Sequence, residues 1–526
     1  MYDAIIIGSG PSGVAAAYTL KGKNILLLDV GNLPDRDINL CANFYDTKKN
    51  AESYFRGLIG DNFESLNNID REYLMPKVKA PYQRYVVADA NRFGTIRSET
   101  FNGFISYAQG GLANVWGAQL YRFNDEDLKM FPINASDLAP YYDKLTGLIG
   151  ICGHDDDLTP FYGLAKNLLP PLELSSLGTD LLQKYSRRRE FFREKGIYIG
   201  KPRLGVLSTD YLGRKKCDYS NLEFFKPQIP YIYTPSVTLN ELIAKNLLDY
   251  KPKYLALRYK EMDNKIIVEA RNIDTSQTDS FDAKKLILAA GTLGTAKIVL
   301  NSNEDFQTKL PMMENLPSYI PFLNFFKIGS SQEKRSFYTQ LNLFYKGEMF
   351  DGLVMGTFYT LSGILHSDIL FDMPFSVRSS IIASKYVIPA IMVLNLWYPA
   401  HIKEDNYVSL ERSGDLHISY RDRVTGNVEK HLIKAFRRIG YFSLPSLCKY
   451  PLPGNSFHYA GTLPMKAKPS SRYETDPYGR LSGTSRIYVV DGSCFPFLPA
   501  KNLSFTIMAN SMRIATHIES ALDKGF

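Results

Sequence analysis

The chain has 526 residues, of which 45% are hydrophobic, 22% charged and 13% aromatic. Such a composition supplies ample core material and excludes long disorder, collagen-like repeats and coiled coils. Lysine plus arginine number 62 against 54 acidic residues, a formal charge of +8 that is far short of a nucleic-acid footprint, so no nucleic-acid partner is expected.

In chain order, the clearest architecture comes first. The apolar run Ala4-Ile5-Ile6-Ile7 predicts a strand buried on both faces. Gly8-Ser9-Gly10-Pro11-Ser12-Gly13 follows, then a small-residue helix over 14–20 and a second strand over 24–28 that ends at Asp29. This is a βαβ unit with Gly-x-Gly-x-x-Gly at its first turn and an acid 19 residues beyond Gly10. Glycines let the chain turn tightly and bring backbone N–H groups at the helix start to a pyrophosphate. Asp29 would accept hydrogen bonds from a ribose. The combination predicts a bound dinucleotide.

The middle of the chain is less regular. Residues 231–240 read as a strand running into a helix, and 254–262 with 265–271 as a hairpin about Asp263-Asn264. Residues 286–290 form another buried strand closed by Gly291, ahead of a helix over 294–301. Between about 305 and 450, the alternating stretches 337–345, 390–397 and 407–420 predict one antiparallel sheet, the last turning at Ser413-Gly414-Asp415. After 480 the parallel pattern resumes with a strand over 487–490, the turn Asp491-Gly492 and a helix over 504–522. The nucleotide-binding pattern therefore opens and closes the chain around an inserted antiparallel region.

Five cysteines, Cys41, Cys152, Cys217, Cys448 and Cys494, are scattered without CxxC or metal-ligand spacing. They read as reduced thiols, and no metal site is expected. The longest apolar run, 386–394, has nine residues and contains Pro389. A bilayer span needs about twenty. With the nucleotide pattern starting so early, no leader is expected. The expectation is a cytoplasmic protein, soluble or peripheral to the membrane.

Only one Gly-x-Gly-x-x-Gly is present, which argues against a two-nucleotide disulfide reductase. Three further segments resemble the glucose–methanol–choline (GMC) oxidoreductases, a family of FAD enzymes. They are Gly110-Gly111-Leu112-Ala113-Asn114-Val115-Trp116-Gly117, then His458-Tyr459-Ala460-Gly461-Thr462-Leu463-Pro464-Met465, then Val489-Val490-Asp491-Gly492-Ser493-Cys494-Phe495-Pro496 through Asn502 to Ala509. With the first glycine motif they stand in family order along the chain. Pro464 and Lys466 depart from an arginine and a glycine common in that motif.

The resemblance implies an α/β (α+β overall) fold, a Rossmann-like FAD-binding domain with an inserted antiparallel-sheet substrate domain. The FAD domain would be split over 1–150, 231–305 and 450–526, and the substrate domain over 151–230 and 306–449. It places the cofactor against Gly8, Gly10, Gly13, Asp29, Gly110, Gly111, Asn114, Val115, Trp116, Val237, Gly291, Asp491, Gly492 and Leu503. Some members attach FAD through a histidine where this chain has Val115, so noncovalent FAD is implied. His458 and Asn502 fall on the family's catalytic pair. Chemistry asks for such a pair, because oxidising an alcohol removes a hydroxyl proton while the carbon's hydride leaves. A neutral imidazole with a pKa near working pH is the natural acceptor, and an asparagine N–H can hold the oxygen. Asn502 could equally cap the terminal helix.

The implied activity is FAD-dependent oxidation of a small-molecule primary or secondary alcohol. The segment ending in Trp116-Gly117 favours a sugar, polyol or glycoside hydroxyl. Alternatives are the same chemistry on a lipid-linked or hydrophobic alcohol at a membrane surface, a redox-neutral lyase with structural FAD, and a non-catalytic flavoprotein. Retention of both His458 and Asn502 argues against the last. Oxygen, a quinone or a protein are all open as electron acceptor. The apolar stretches 353–375 and 381–397 read as core, with a weak membrane-surface contact as the rival reading.

Overall fold

The computed structural model describes residues 1–34, 41–60, 76–226, 229–331, 333–361 and 376–524. Its largest sheet has seven strands. Strand Tyr2–Ile7 lies parallel between Ile25–Leu28 and the long strand Thr278–Leu288, and Asp249–Lys251 extends the sheet beyond Ile25–Leu28. Side chains from Ala4 to Ile7 are buried on both faces: Ala4 and Ile6 join one core, Ile5 and Ile7 another. That two-sided burial is why the run is apolar throughout.

The strand Thr278–Leu288 changes partner along its length. Residues 278–283 pair antiparallel with Ile266–Asn272, which continues the hairpin to Tyr254–Glu261. Residues 286–288 pair parallel with Ile487–Val489, so the end of the chain returns beside its beginning. Helices Pro11–Thr19, Pro235–Ala244 and Ser504–Asp523 pack together against one face.

A second sheet of six strands is antiparallel throughout. Its order is Tyr441–Phe442, Pro317–Asn324, Ile391–Trp397, Phe350–Thr360, Thr339–Gly347 and Ile197–Gly200. One face carries Ile320, Phe322, Leu394 and Leu396 and is covered by helices Ser176–Arg187 and Asn427–Arg437. With the alternation of a strand, the other face carries Tyr319, Asn395 and Trp397.

Four sequence expectations change in detail. The first helix begins at Pro11, not residue 14; proline suits that position because the N–H it lacks has no helical partner. Residues 231–234 form no strand; Ile232 makes a single bridge to Val206 before the helix Pro235–Ala244. The helix expected at 294 starts at Gly291. Finally, the hairpin of Tyr407–Leu410 and Leu416–Ser419 does not join the six-stranded sheet. It belongs to a separate four-stranded sheet with Ile96–Arg97 and Leu310–Pro311.

Candidate active site

The glycine turn after the first strand is held by the packing around it. Gly8 has φ +99°, and a Cβ there would lie 2.5 Å from the Ala289 carbonyl oxygen. A Cβ on Gly13 would lie 1.9 Å from the Gly8 carbonyl oxygen, so this glycine lets the helix approach the strand. Gly10 is different. Its φ is −66° and a Cβ would meet nothing within 4 Å, so no protein atom requires glycine there. Ser9 ties the turn to its neighbours: its hydroxyl donates to the Asp29 carboxylate and accepts from the Gly110 N–H at 3.0 Å. Burial pushes the Asp29 carboxyl up to about 7, against the pull of its hydrogen bonds.

The turn opens into a cavity of about 640 Å³. Asp29, Gly8, Gly10, Gly111, Val115, Trp116, Gly291, Asp491, Gly492 and Leu503 all line it, as do His458 and Asn502. Three helices begin at its wall, at Pro11, Gly291 and Ser504. Gly13, Gly110, Asn114 and Val237 do not line it. Gly110, at φ +87°, and Asn114, whose amide donates to the carbonyls of Gln109 and Gly111 at 2.8 Å, instead shape the loop. Val237 packs into the core from its helix.

His458 and Asn502 meet at the cavity. Asn502 Nδ2 lies 3.4 Å from His458 Nε2. The other polar atom of each side chain, His458 Nδ1 and Asn502 Oδ1, is buried without a hydrogen-bond partner among the described residues. The imidazole stacks on the Trp397 indole, with ring centroids 4.6 Å apart and an interplanar angle of 28°. The chain reaches His458 through a constrained turn. Buried Glu314 accepts from the N–H groups of Gly454 (2.6 Å) and Ser456 (3.1 Å) and from the Ser456 hydroxyl, which itself accepts from the His458 N–H. Phe457, between them, sits at φ +58°, a left-handed conformation that a phenylalanine keeps only when its surroundings fix it. Asn502 does not cap the terminal helix as the sequence allowed. Leu503 takes that position, leaving the amide free to turn to His458.

Residues 448–511, which carry both members of this pair, match the family model of the GMC oxidoreductases. Over the whole chain, the fold is similar to the crystal structure of pyridoxine 4-oxidase from Mesorbium loti, with a TM-score of 0.64 and 13% identity over 99% of each chain. No curated protein sequence matches. Over residues 448–511 the chain is similar to the GMC oxidoreductases.

The cavity has lining residues that no motif announced. Lys77 is 5% exposed, and its ammonium donates to the Trp116 carbonyl at 2.9 Å and to the Tyr338 hydroxyl at 3.1 Å. It lies near the rings of Tyr338 and Phe224, and burial lowers its pKa to about 8. Two of its three N–H groups are used, and no carboxylate is in ion-pair contact among the described residues. Tyr338 stacks on Tyr359, whose hydroxyl accepts from the Gln119 amide. Asn395 Oδ1 and Trp397 Nε1 are buried without partners among the described residues on the same lining. One sequence signal was available: the chain has only two tryptophans, Trp116 and Trp397, and both are here.

His458 corrects the sequence reading in one respect. Burial lowers its pKa to about 4, not near neutrality. No helix among the described residues is long and apolar enough to cross a membrane.

Proposed function

We propose that this protein oxidises an alcohol, with FAD held noncovalently in the cavity, His458 as proton acceptor and Asn502 as donor to the hydroxyl oxygen. The observation that carries this reading is the buried His458–Asn502 pair at 3.4 Å, with a polar atom on each partner unsatisfied among the described residues. Buried polar groups are normally paired, and a site that leaves them open expects a polar ligand.

The lining suits a flavin dinucleotide. Gly10 leaves room where a Cβ would otherwise stand, which a pyrophosphate can use beside the N-terminus of helix Pro11–Thr19. Asp29 is the ribose acceptor, and Arg92, Arg271 and Lys297 are cations on the cavity wall beside Lys77. The helix starting at Ser504 directs its unsatisfied N–H groups toward the site, favouring an electron-rich ring. Bound there, the flavin supplies the acceptor for the hydride that leaves the carbinol carbon. In this reading 1–150, 231–305 and 450–526 form the cofactor domain, and 151–230 and 306–449 the substrate domain.

At neutral pH the buried His458 imidazole is uncharged, so Nε2 is available to take the hydroxyl proton. Stacking on Trp397 fixes the plane of the ring, and the Glu314-bound turn fixes its height in the cavity. Asn502 Nδ2–H holds the oxygen without competing for its proton. Around the pair stand aromatic faces (Trp397, Tyr338, Tyr359) together with Asn395, Gln119 and Lys77. Flat rings beside hydrogen-bonding groups favour a sugar, polyol or glycoside as donor.

Anaerobic titration of the yellow protein with sugars, polyols, glycosides and pyridoxine, the compound named for the structural neighbour's activity, tests this. Bleaching of the flavin by a hydroxyl donor is expected. Turnover of a donor with the flavin staying oxidised would replace alcohol oxidation with redox-neutral chemistry.

A further inference from the structure

Asn502 sits on a turn that is held from outside the cavity. The turn runs from Leu498 to the start of the helix Ser504–Asp523. Leu498 pairs with Ala400, each N–H meeting the other's carbonyl, at 2.8 and 3.1 Å. The Pro499 carbonyl accepts from the Asn315 amide at 3.0 Å. Lys501 is the third anchor. Its side chain is fully buried, and its ammonium donates to the Asp127 carboxylate and to the Arg122 carbonyl, the latter at 3.4 Å. Lys501 thus turns into the protein, while Asn502 beside it lines the cavity and meets His458.

The anchor is itself fixed. Asp127 belongs to the capping box of the short helix Asp125–Leu128: its carboxylate accepts from the Asn124 N–H at 2.8 Å, and its own N–H donates to the Asn124 side chain at 3.0 Å. Beside it, the Phe123 N–H donates to the Tyr142 hydroxyl at 3.1 Å, and that hydroxyl lies 2.6 Å from Thr506 Oγ1 in the first turn of the terminal helix. The segment 122–127 is therefore tied to the chain on both sides of Asn502, at Lys501 directly and at Thr506 through Tyr142. A buried ion pair adds little stability, because desolvating both charges offsets their attraction, and its best attested use is to fix register. Burial pushes the Asp127 carboxyl up and the Lys501 ammonium down, each against the pull of the other. Glu126 is the other acid acting on the ammonium, and the Arg122 guanidinium is engaged with Asp143. Two apolar side chains could fill the same space in more than one arrangement. An ammonium on a carboxylate admits one placement of residue 501, and so one of residue 502.

We propose that Lys501 is a positioning residue, whose ion pair with Asp127 sets the place at which the Asn502 amide meets His458. Its chemical meaning rests on the reading of His458 and Asn502 as the pair that handles the hydroxyl. An amide N–H can only donate, so Asn502 Nδ2 facing His458 Nε2 makes that nitrogen the acceptor and leaves the ring proton on Nδ1. Releasing Lys501 withdraws the support of that tautomer.

Nitrogen NMR of the flavin-loaded protein, labelled with ¹⁵N in histidine, reads this tautomer with no donor present. The His458 signals are assigned as those missing from His458→Ala. In the wild type at neutral pH, Nε2 should resonate as an unprotonated nitrogen, and Asn502→Ala should shift that signal by removing the amide. Lys501→Met should shift it in the same direction, and should add nothing when combined with Asn502→Ala. A lysine that only stabilises the fold would lower the unfolding temperature and leave the signal in place. Lys501→Met strands a buried carboxylate, so a companion variant, Lys501→Met with Asp127→Asn, removes both charges while keeping a side-chain oxygen for the cap. It should fold and give the same shift. A wild-type Nε2 signal in either folded variant, or a full Lys501→Met shift in the absence of Asn502, overturns the proposal. The measurement requires no turnover. An unmoved signal in a protein that oxidises alcohols would remove the positioning role alone, and a shifted signal in a protein that no alcohol bleaches would remove the oxidation reading alone.

Discussion

His458 is buried against the Trp397 indole, and among the described residues no charged group contributes to its shift. Burial alone lowers its pKa to about 4. The folded value lies below the ordinary 6.5, so protonation is resisted until about pH 4, and the neutral form persists throughout the physiological range. The rate of flavin reduction should therefore rise with pH through about 4 and stay level above about 6. An inflection near 6.5 in anaerobic stopped-flow measurements would show a solvated ring instead. The same shift draws stability from the fold as pH falls from about 6.5 toward 4, because only the unfolded chain takes up the proton. Asn502→Ala should be milder than loss of the base, about tenfold in reduction rate, since it removes one hydrogen bond to the donor oxygen. Among the described residues, Lys77 has acceptors for two of its three N–H groups at the cavity wall. Lys77→Met should raise KM for a hydroxyl-rich donor about ten- to a hundredfold and leave kcat nearly unchanged, which steady-state kinetics would read directly. An unchanged KM would remove Lys77 from donor recognition.

At the scale of elements, the glycine turn separates what the fold needs from what a ligand needs. Gly8 is required by the protein itself, through its φ of +99° and the Ala289 carbonyl 2.5 Å from any Cβ. Gly10 has neither constraint. Gly10→Ala should therefore keep the wild-type unfolding temperature of the flavin-free protein yet purify with little flavin, whereas Gly8→Ala should lower both. Flavin-to-protein absorbance ratios and thermal melts of the stripped protein distinguish them, and full flavin loading of Gly10→Ala would contradict the pyrophosphate assignment. The turn was legible because the strand, the glycines and Asp29 lie within thirty residues. The His458–Asn502 pair was legible only through motif resemblance. Lys77, Tyr338, Tyr359 and Trp397 were not, because they converge from four distant segments and no local spacing records that meeting. Alternation in 407–420 revealed a hairpin but not its sheet, since periodicity specifies which face is buried and not which strand lies alongside. The apolar stretch 353–375 divides: Phe350–Thr360 is a strand with a buried centre, while 362–375 lies outside the described residues. In 381–397, the strand Ile391–Trp397 is core and the helix before it exposes its isoleucines.

Across the whole molecule, a mixed seven-stranded sheet and a six-stranded antiparallel sheet enclose one cavity, with residues from both on its wall. Val115 is buried on that wall and has no nucleophile to offer. Acid precipitation should therefore release the flavin to the supernatant, and a yellow pellet would reveal a covalent attachment elsewhere. The proposed chemistry turns on His458 accepting the proton as the donor's hydride leaves. It is tested most directly by comparing anaerobic flavin reduction in the wild type and in His458→Ala, using the best bleaching donor in protiated form and deuterated at the carbinol carbon. Equal flavin content, a fall in reduction rate of about 10²–10⁴-fold in the variant, and slowing by deuterium in both proteins are expected. Reduction of the variant's flavin at the wild-type rate would contradict it.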